Sequence, residues 1–275
     1  MKFLPLLGLS LCLAAPAVAQ TEDKSVHVVA KEVSPGVVRI AAHSDTMLEY
    51  TLTLRADLVN LASEPSLPLT VDIRGRRSVD LAILSITDPE QPWEYSYHFT
   101  WRYGVRGGIP DPEVVYDLPY SPGEKHKLVQ GYLGSFSHFK GSPNEYAYDF
   151  GMPVGTTVRA ARGGVVTGVR QDSDVRGTTP AFMSCANYVI VRHSDGTYAE
   201  YVHLKKDGAL VALGDTVAGG QAIGLSGNTG FSSAPHLHFA VFVPLDGESR
   251  KTLPIAMKTR ESGAIPDKLT EGQIY

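Results

Sequence analysis

Tyr188-Val189-Ile190-Val191-Arg192-His193-Ser194-Asp195-Gly196-Thr197-Tyr198-Ala199-Glu200-Tyr201-Val202-His203 is the stretch on which the fold turns. Two β-branched and aromatic runs of strand length flank Ser194-Asp195-Gly196-Thr197. Asp-Gly can take the positive φ angles of a tight turn, so a hairpin is expected. Outward from it lie further strand-like runs rich in glycine: Val158 to Ala161, Gly164 to Val169, Ala222 to Ser226 and His236 to Phe242. The second half of the chain therefore reads as all-β. Val26 to Trp101 has a period of two, as in Val37-Val38-Arg39-Ile40, Tyr50-Thr51-Leu52-Thr53-Leu54 and Leu69-Thr70-Val71-Asp72-Ile73, with turn clusters such as Ser34-Pro35-Gly36 between the runs. That spacing predicts a small β-sandwich, with an immunoglobulin-like arrangement as one form of it. Residues 104 to 123, rich in Gly and Pro, read as a linker with a boundary near Ser121. The expected organisation is a signal at 1–19, a sandwich-like domain at 20–120, a second small antiparallel β domain at 121–245 and a tail at 246–275 that lies over that domain or is partly loose.

The chain has 275 residues, 25 Lys and Arg, 29 Asp and Glu, and two Cys. Met1-Lys2, the apolar run from Phe3 to Leu13 and Ala17-Val18-Ala19 read as a secretory signal, too short to be a membrane span. Cleavage after Ala19 would remove Cys12 and leave Cys185 as the only cysteine, which excludes an intrachain disulfide. A soluble, exported protein in the periplasm or outside the cell is expected. Residues 20–120 carry 9 basic and 15 acidic side chains, a balance of −6; residues 121–245 carry 10 and 9, a balance of +1. Neither region has the basic stripe that nucleic-acid binding needs. Oligomeric state is not readable from the sequence.

Pro235-His236-Leu237-His238-Phe239 carries the sharpest chemical signal. On a strand His236 and His238 share one face, where two imidazoles can bind a metal together or divide metal binding and proton transfer between them. Upstream stand Tyr146-Ala147-Tyr148-Asp149-Phe150 and Tyr201-Val202-His203-Leu204. Between these and the His pair runs Gly214-Asp215-Thr216-Val217 to Ile223-Gly224, closed by Ser226-Gly227-Asn228-Thr229-Gly230. With these motifs in this order, the stretch from Gly131 to Val243 resembles the catalytic domain of lysostaphin-type (LytM-type) zinc metallopeptidases, the cell-wall endopeptidases. The resemblance implies a small antiparallel β domain and one zinc held by His, Asp and His. It also implies a substrate, the peptide part of peptidoglycan. By position Asp149 and His238 match zinc ligands, and His203 and His236 match two catalytic histidines that do not ligate. A three-ligand zinc leaves a fourth position for water, whose pKa falls towards neutral.

One departure stands out: four residues before Asp149, where the family has a His ligand, this chain has Glu145. His138 replaces it if Lys140 to Asn144 form a loop that returns His138 beside Asp149, and similar Ser-His, loop, Tyr-Ala-x-Asp-Phe arrangements occur in relatives. Glu145 replaces it if 145–149 is extended, since Glu145 and Asp149 would then share a face. A degenerate, metal-free module that binds the wall or activates another hydrolase is the third reading. His138, Asp149 and His238 are taken as the metal set. Among other candidates, His126 is expected to be solvated, His193 to cap the hairpin, and Asn187, Tyr188 and Ser233 to line the cleft. The rhythm of 214–224 also fits biotinyl or lipoyl carriers, but such a reading leaves the histidines unexplained.

Overall fold

A computed structural model describes residues 26–134, 136–259 and 268–275. The export signal expected at 1–19 lies outside them. The N-terminal part contains seven strands: β1 Val26–Ser34, β2 Val37–Ser44, β3 Glu49–Val59, β4 Leu61–Glu64, β5 Leu69–Arg74, β6 Arg77–Ile86 and β7 Glu94–Tyr103. They form two antiparallel sheets, ordered β1-β2-β6-β4 and β5-β3-β7. Both sheets turn alternate residues into one core, where Ile40, Leu52, Ile73 and Leu84 are fully enclosed. This is a β-sandwich. β6 does not keep a strict alternation: Leu81 and Ala82, adjacent in sequence, are both buried. The reason is a register shift opposite Ile40 and Ala41, which breaks the period of two halfway along the strand.

The second part comprises β8 Val115–Tyr116, β9 Lys127–Gln130, β10 Tyr148–Gly151, β11 Thr157–Arg159, β12 Gly164–Arg170, β13 Arg176–Gly177, a 3-10 helix Pro180–Cys185, β14 Tyr188–Arg192, β15 Tyr198–Val202, β16 Leu204–Ala209, β17 Thr216–Val217, β18 Ala222–Ser226, β19 Gly230–Phe231, β20 His236–Pro244, β21 Arg250–Thr252 and β22 Ala256–Met257. The larger sheet runs β17-β12-β14-β15-β20-β10-β9, with β21 added on β20; a smaller sheet, β11-β18-β16, covers one of its faces. Phe150, Val191, Tyr201, Leu237 and Phe239 meet Val158, Leu204 and Ile223 there, all close to zero exposure. The opposite face carries the intervening residues, including Asp149, Glu200 and His238. The expected hairpin joins β14 to β15. Gly196 alone has positive φ (79°), and His193 closes the turn by donating its N–H to Thr197 and accepting from Gly196.

Three sequence expectations are modified. Tyr116, Leu118 and Tyr120 lie in the second core, so that core begins within the Gly- and Pro-rich stretch, before Ser121. The tail supplies β21 and β22, and Leu253, Ile255, Met257 and Leu269 are buried against the same core. His126 is buried rather than solvated, because Tyr275 pairs with its backbone and Tyr120 meets its ring edge-on at 4.6 Å. No helix among the described residues is long and apolar enough to cross a membrane.

The sandwich docks on the face of the larger sheet that is turned away from the second core. Glu49 on β3 accepts from Arg192 (2.7 Å) and Tyr198 (3.1 Å), and Tyr103 packs against Tyr188. Gly108 lies so close to the hairpin that a Cβ would overlap the Gly196 carbonyl.

His193 gives a stability test. Its Nδ1 bonds Gly163 O at 2.9 Å, and burial lowers its pKa from 6.5 to about 4, so the folded protein keeps it neutral. Between those values the unfolded chain binds a proton that the folded chain does not, so stability falls as pH drops through the window. His193→Asn is expected to reduce the stability difference between pH 7 and pH 4.5 by roughly 2 kcal/mol, read by urea unfolding at both pH values. Parallel pH dependences in variant and parent would contradict it.

Candidate metal centre

The site grows from one strand pair. β10 and β20 are antiparallel with Asp149 opposite His238, while Tyr148 and Phe150 point into the core and fix which way Asp149 faces. His238 Nδ1 lies 2.9 Å from Asp149 Oδ1, and its Nε2 lies 3.2 Å from Glu200 Oε1 on β15. Burial would raise the Asp149 carboxyl, but the His238 hydrogen bond and the surrounding imidazoles hold it well below the usual range. Burial likewise opposes the charged form of His238, yet its two carboxylate partners raise its pKa to about 9.

His138 arrives on the loop between β9 and β10. Gln130 shapes that loop: its amide accepts from Ser137 N (2.8 Å) and donates to Ser137 Oγ (2.8 Å) and Asp149 Oδ2 (2.9 Å). The next residue, His138, is fully buried with Nε2 3.5 Å from Asp149 Oδ2. Burial lowers its pKa to about 4. Residues 140–146 are turns, and the strand starts only at Tyr148, so the extended segment that would have aligned Glu145 with Asp149 does not form. Glu145 instead accepts from Gly141 N at 2.8 Å and braces the loop. His138, Asp149 and His238 each offer a ligand atom, all within 4.8 Å of one another.

His203 and His236 stand beside this cluster, ring centroids 4.5 Å apart, with His203 6.1 Å from His238. His203 follows β15 with φ of 67°, a left-handed backbone that costs a non-glycine residue about 1 kcal/mol. What holds it is a 2.6 Å hydrogen bond from Nδ1 to Thr229 O. Thr229 is itself fixed by Asn187 N and Leu204 O, and the Asn187 amide bonds Ser173 and Leu204. Asn187 is thus enclosed behind His203 rather than lining the cleft, and Tyr188 contacts Tyr103 of the sandwich. Burial, then the neighbouring His236 and His238, lower the His203 pKa to about 3. His236 Nδ1 bonds Ala234 O at 2.8 Å, and its Nε2 faces Asp149 Oδ1 at 3.9 Å.

The neutral tautomers follow from these partners. Gly131 O (3.3 Å), Thr229 O and Ala234 O are acceptors only, so Nδ1 carries the proton in His138, His203 and His236 and each Nε2 keeps its lone pair. His238 differs: Nδ1 faces Asp149 and Nε2 faces Glu200, so with its pKa raised to about 9 both nitrogens carry protons, and a metal would displace the one on Nδ1. His138 Nε2 is buried with no hydrogen-bond partner. Two imidazole nitrogens and one carboxylate oxygen, one nitrogen an orphan, fit a divalent metal with an open fourth position. Gln130, Glu200 and Arg250 were not singled out from the sequence; a glutamate inside the apolar run Tyr198 to Val202 was the one available signal.

Residues 143–251 match the family described as Peptidase family M23. His138 lies just before this stretch. An "Uncharacterized metalloprotease" of Buchnera aphidicola subsp. Baizongia pistaciae is 35% identical over 122 residues, 44% of this chain and 28% of that protein. The Peptidoglycan DD-endopeptidase ShyA of Vibrio cholerae is 40% identical over 95 residues, 34% of this chain and 19% of that protein. Among solved structures, the catalytic domain of lysostaphin from Staphylococcus simulans is 28% identical, covering 47% of this chain and 87% of that one with a TM-score of 0.33. The chain spans less than a third of the length of these two curated relatives.

The loop geometry separates the two candidates for the third ligand. His138→Ala is expected to lower bound divalent metal well below one equivalent, and Glu145→Gln to leave it near the parent value, by elemental analysis of protein prepared side by side. Metal lost only from the Glu145 variant would reverse the assignment.

Proposed function

We propose that this protein is a zinc-dependent endopeptidase that hydrolyses peptide bonds of peptidoglycan in the cell envelope, exported to the periplasm or beyond. The observation that carries the reading is the convergence of His138, Asp149 and His238 with two further histidines whose Nε2 lone pairs are free. The match to Peptidase family M23, a relative named as a peptidoglycan endopeptidase and the signal-like residues 1–19 support it.

His138 through Nε2, Asp149 through a carboxylate oxygen and His238 through Nδ1 would hold the ion. When bound, zinc supplies Lewis acidity to the scissile carbonyl and makes a water nucleophilic near neutral pH. The rest is the work of this chain's own side chains. His203 and His236, each with Nδ1 tied to a carbonyl, present Nε2 as proton acceptors. One takes the proton of the attacking water on Nε2 and, so protonated, donates a hydrogen bond to the oxyanion that develops on the peptide carbonyl before passing the proton to the leaving amine; the other accepts a hydrogen bond from the same water at Nε2 and orients it. The left-handed backbone at His203 and its bond to Thr229 fix the ring before substrate arrives.

The test has two parts. Purified mature protein is expected to carry about one zinc and to release soluble peptides from purified peptidoglycan, with activity lost on chelation and regained with zinc. His203→Ala and His236→Ala are expected to slow hydrolysis by roughly a hundredfold or more while retaining zinc. Loss of zinc in either variant would overturn their roles. A parent protein that takes up no zinc would instead point to a metal-free wall-binding module.

A further inference from the structure

Three of the four histidines at the site have Nδ1 held by a backbone carbonyl, and His238 is the one among them whose Nε2 is held by a carboxylate. Its Nε2 bonds Glu200 Oε1 at 3.2 Å, and both residues are buried. Glu200 Oε2 in turn pairs with Arg250, whose second nitrogen donates to Asn144 Oδ1 at 2.7 Å. Arg250 is about 10% exposed and lies over the Phe242 ring at 4.9 Å. One guanidinium therefore ties together the strand bearing Glu200 and the loop that follows His138.

The turn that leads into Arg250 is anchored on the sandwich. This is the turn 246–249, in which Asp246 Oδ1 accepts from Glu248 N and Ser249 N, both at 2.7 Å. Gly247 N donates to Thr53 Oγ1 (2.9 Å), Arg102 donates to Glu248 O (2.7 Å), and Arg55 reaches Glu248 Oε1 (3.4 Å). Thr53, Arg55 and Arg102 all belong to β3 and β7. A Cβ at residue 247 would overlap the Thr100 carbonyl, so the turn sits directly on the sandwich backbone.

We propose that Glu200 and Arg250 are positioning residues for the metal centre: Glu200 accepts the Nε2 proton of His238 and so commits Nδ1 to the metal, while Arg250, whose preceding turn is anchored on the N-terminal sandwich, holds Glu200 and the His138 loop in register. The proposal rests on the zinc reading above. It assigns the sandwich a fixed mechanical part in building the site. A carboxylate behind a ligating imidazole fixes ring orientation and tautomer, and losing such a partner typically weakens metal binding tenfold to a hundredfold.

The experiment measures the zinc dissociation constant of the full chain by competition with a chromophoric chelator, together with the visible absorption of the cobalt-substituted protein. The variants are Glu200→Gln, Glu200→Leu and the double variant Glu200→Leu/Arg250→Leu. Glu200→Leu strands a buried guanidinium and is expected to destabilise the fold, whereas the double variant removes both charges and should unfold near the parent's urea midpoint. A merely structural role would let the double variant recover zinc binding. Our account predicts that it stays at least tenfold weaker than the parent with an altered cobalt spectrum. Glu200→Gln, which keeps an acceptor oxygen for Nε2, should recover most of the affinity. Parent-like zinc binding in Glu200→Leu or in the double variant overturns the proposal. So does a glutamine variant as weak as Glu200→Leu, which also decides the matter if the double variant does not fold. Failure of the parent itself to bind zinc would count against the zinc reading, and separates that failure from this one.

Discussion

Everything at the site depends on the register between Tyr148–Gly151 and His236–Phe239. With Asp149 opposite His238, a two-residue alternation sends Tyr148, Phe150, Leu237 and Phe239 into the core and leaves the carboxylate and the imidazole on the other face. A slip of one residue would turn the faces of one strand: in β10 it would put Asp149 in the apolar core and Tyr148 and Phe150 in the cleft, and in β20 it would put His236 and His238 in the core and Leu237 and Phe239 in the cleft. Burial of four large side chains, each contributing about 1.5 to 3 kcal/mol, makes such a slip prohibitive. The core thus sets the chemistry by fixing which residues it excludes.

Burying this many ionisable groups requires that they compensate one another. Asp149 and Glu200 are both enclosed carboxylates, and each is kept ionised by its neighbours: Asp149 chiefly by His238, Glu200 by Arg250 and His238. His138 and His203, lacking such strong partners, are held neutral by the same burial. The protein therefore sorts chemically identical imidazoles by environment. One sits between two carboxylates, and others are tied to carbonyls and present lone pairs. That sorting is what a metal site and an adjacent proton-transfer site require of one strand and two loops.

The parts of this arrangement legible in the sequence were those with a local signature. His236-Leu237-His238 on a period of two, the turn at Asp195-Gly196 and the aromatic alternation around Asp149 each carry their meaning within a few residues. His138 could be reached because Gly141-Ser142-Pro143-Asn144 is turn chemistry, and the loop does bring it beside Asp149. Glu200, Arg250 and Gln130 could not be reached in the same way. Glu200 meets His238 across 38 residues and Arg250 across 50, and Arg250 meets Asn144 across 106, so only strand order unites them. His126 misled for a related reason: flanking lysines suggested a solvated position, but the final residues of the chain return to cover it. The tail's contribution to the core is equally nonlocal, since parallel pairing of Ala256–Met257 with Val115–Tyr116 leaves no short-range mark.

The most direct test of a metal centre built on Asp149 is X-ray absorption at the zinc edge of the loaded full-length protein. The account predicts two imidazole nitrogens and one carboxylate oxygen at about 2.0 to 2.2 Å, completed by one further oxygen from solvent. A first shell containing sulfur, or one with three or more imidazoles, would contradict it, because it would move the metal to residues other than His138, Asp149 and His238.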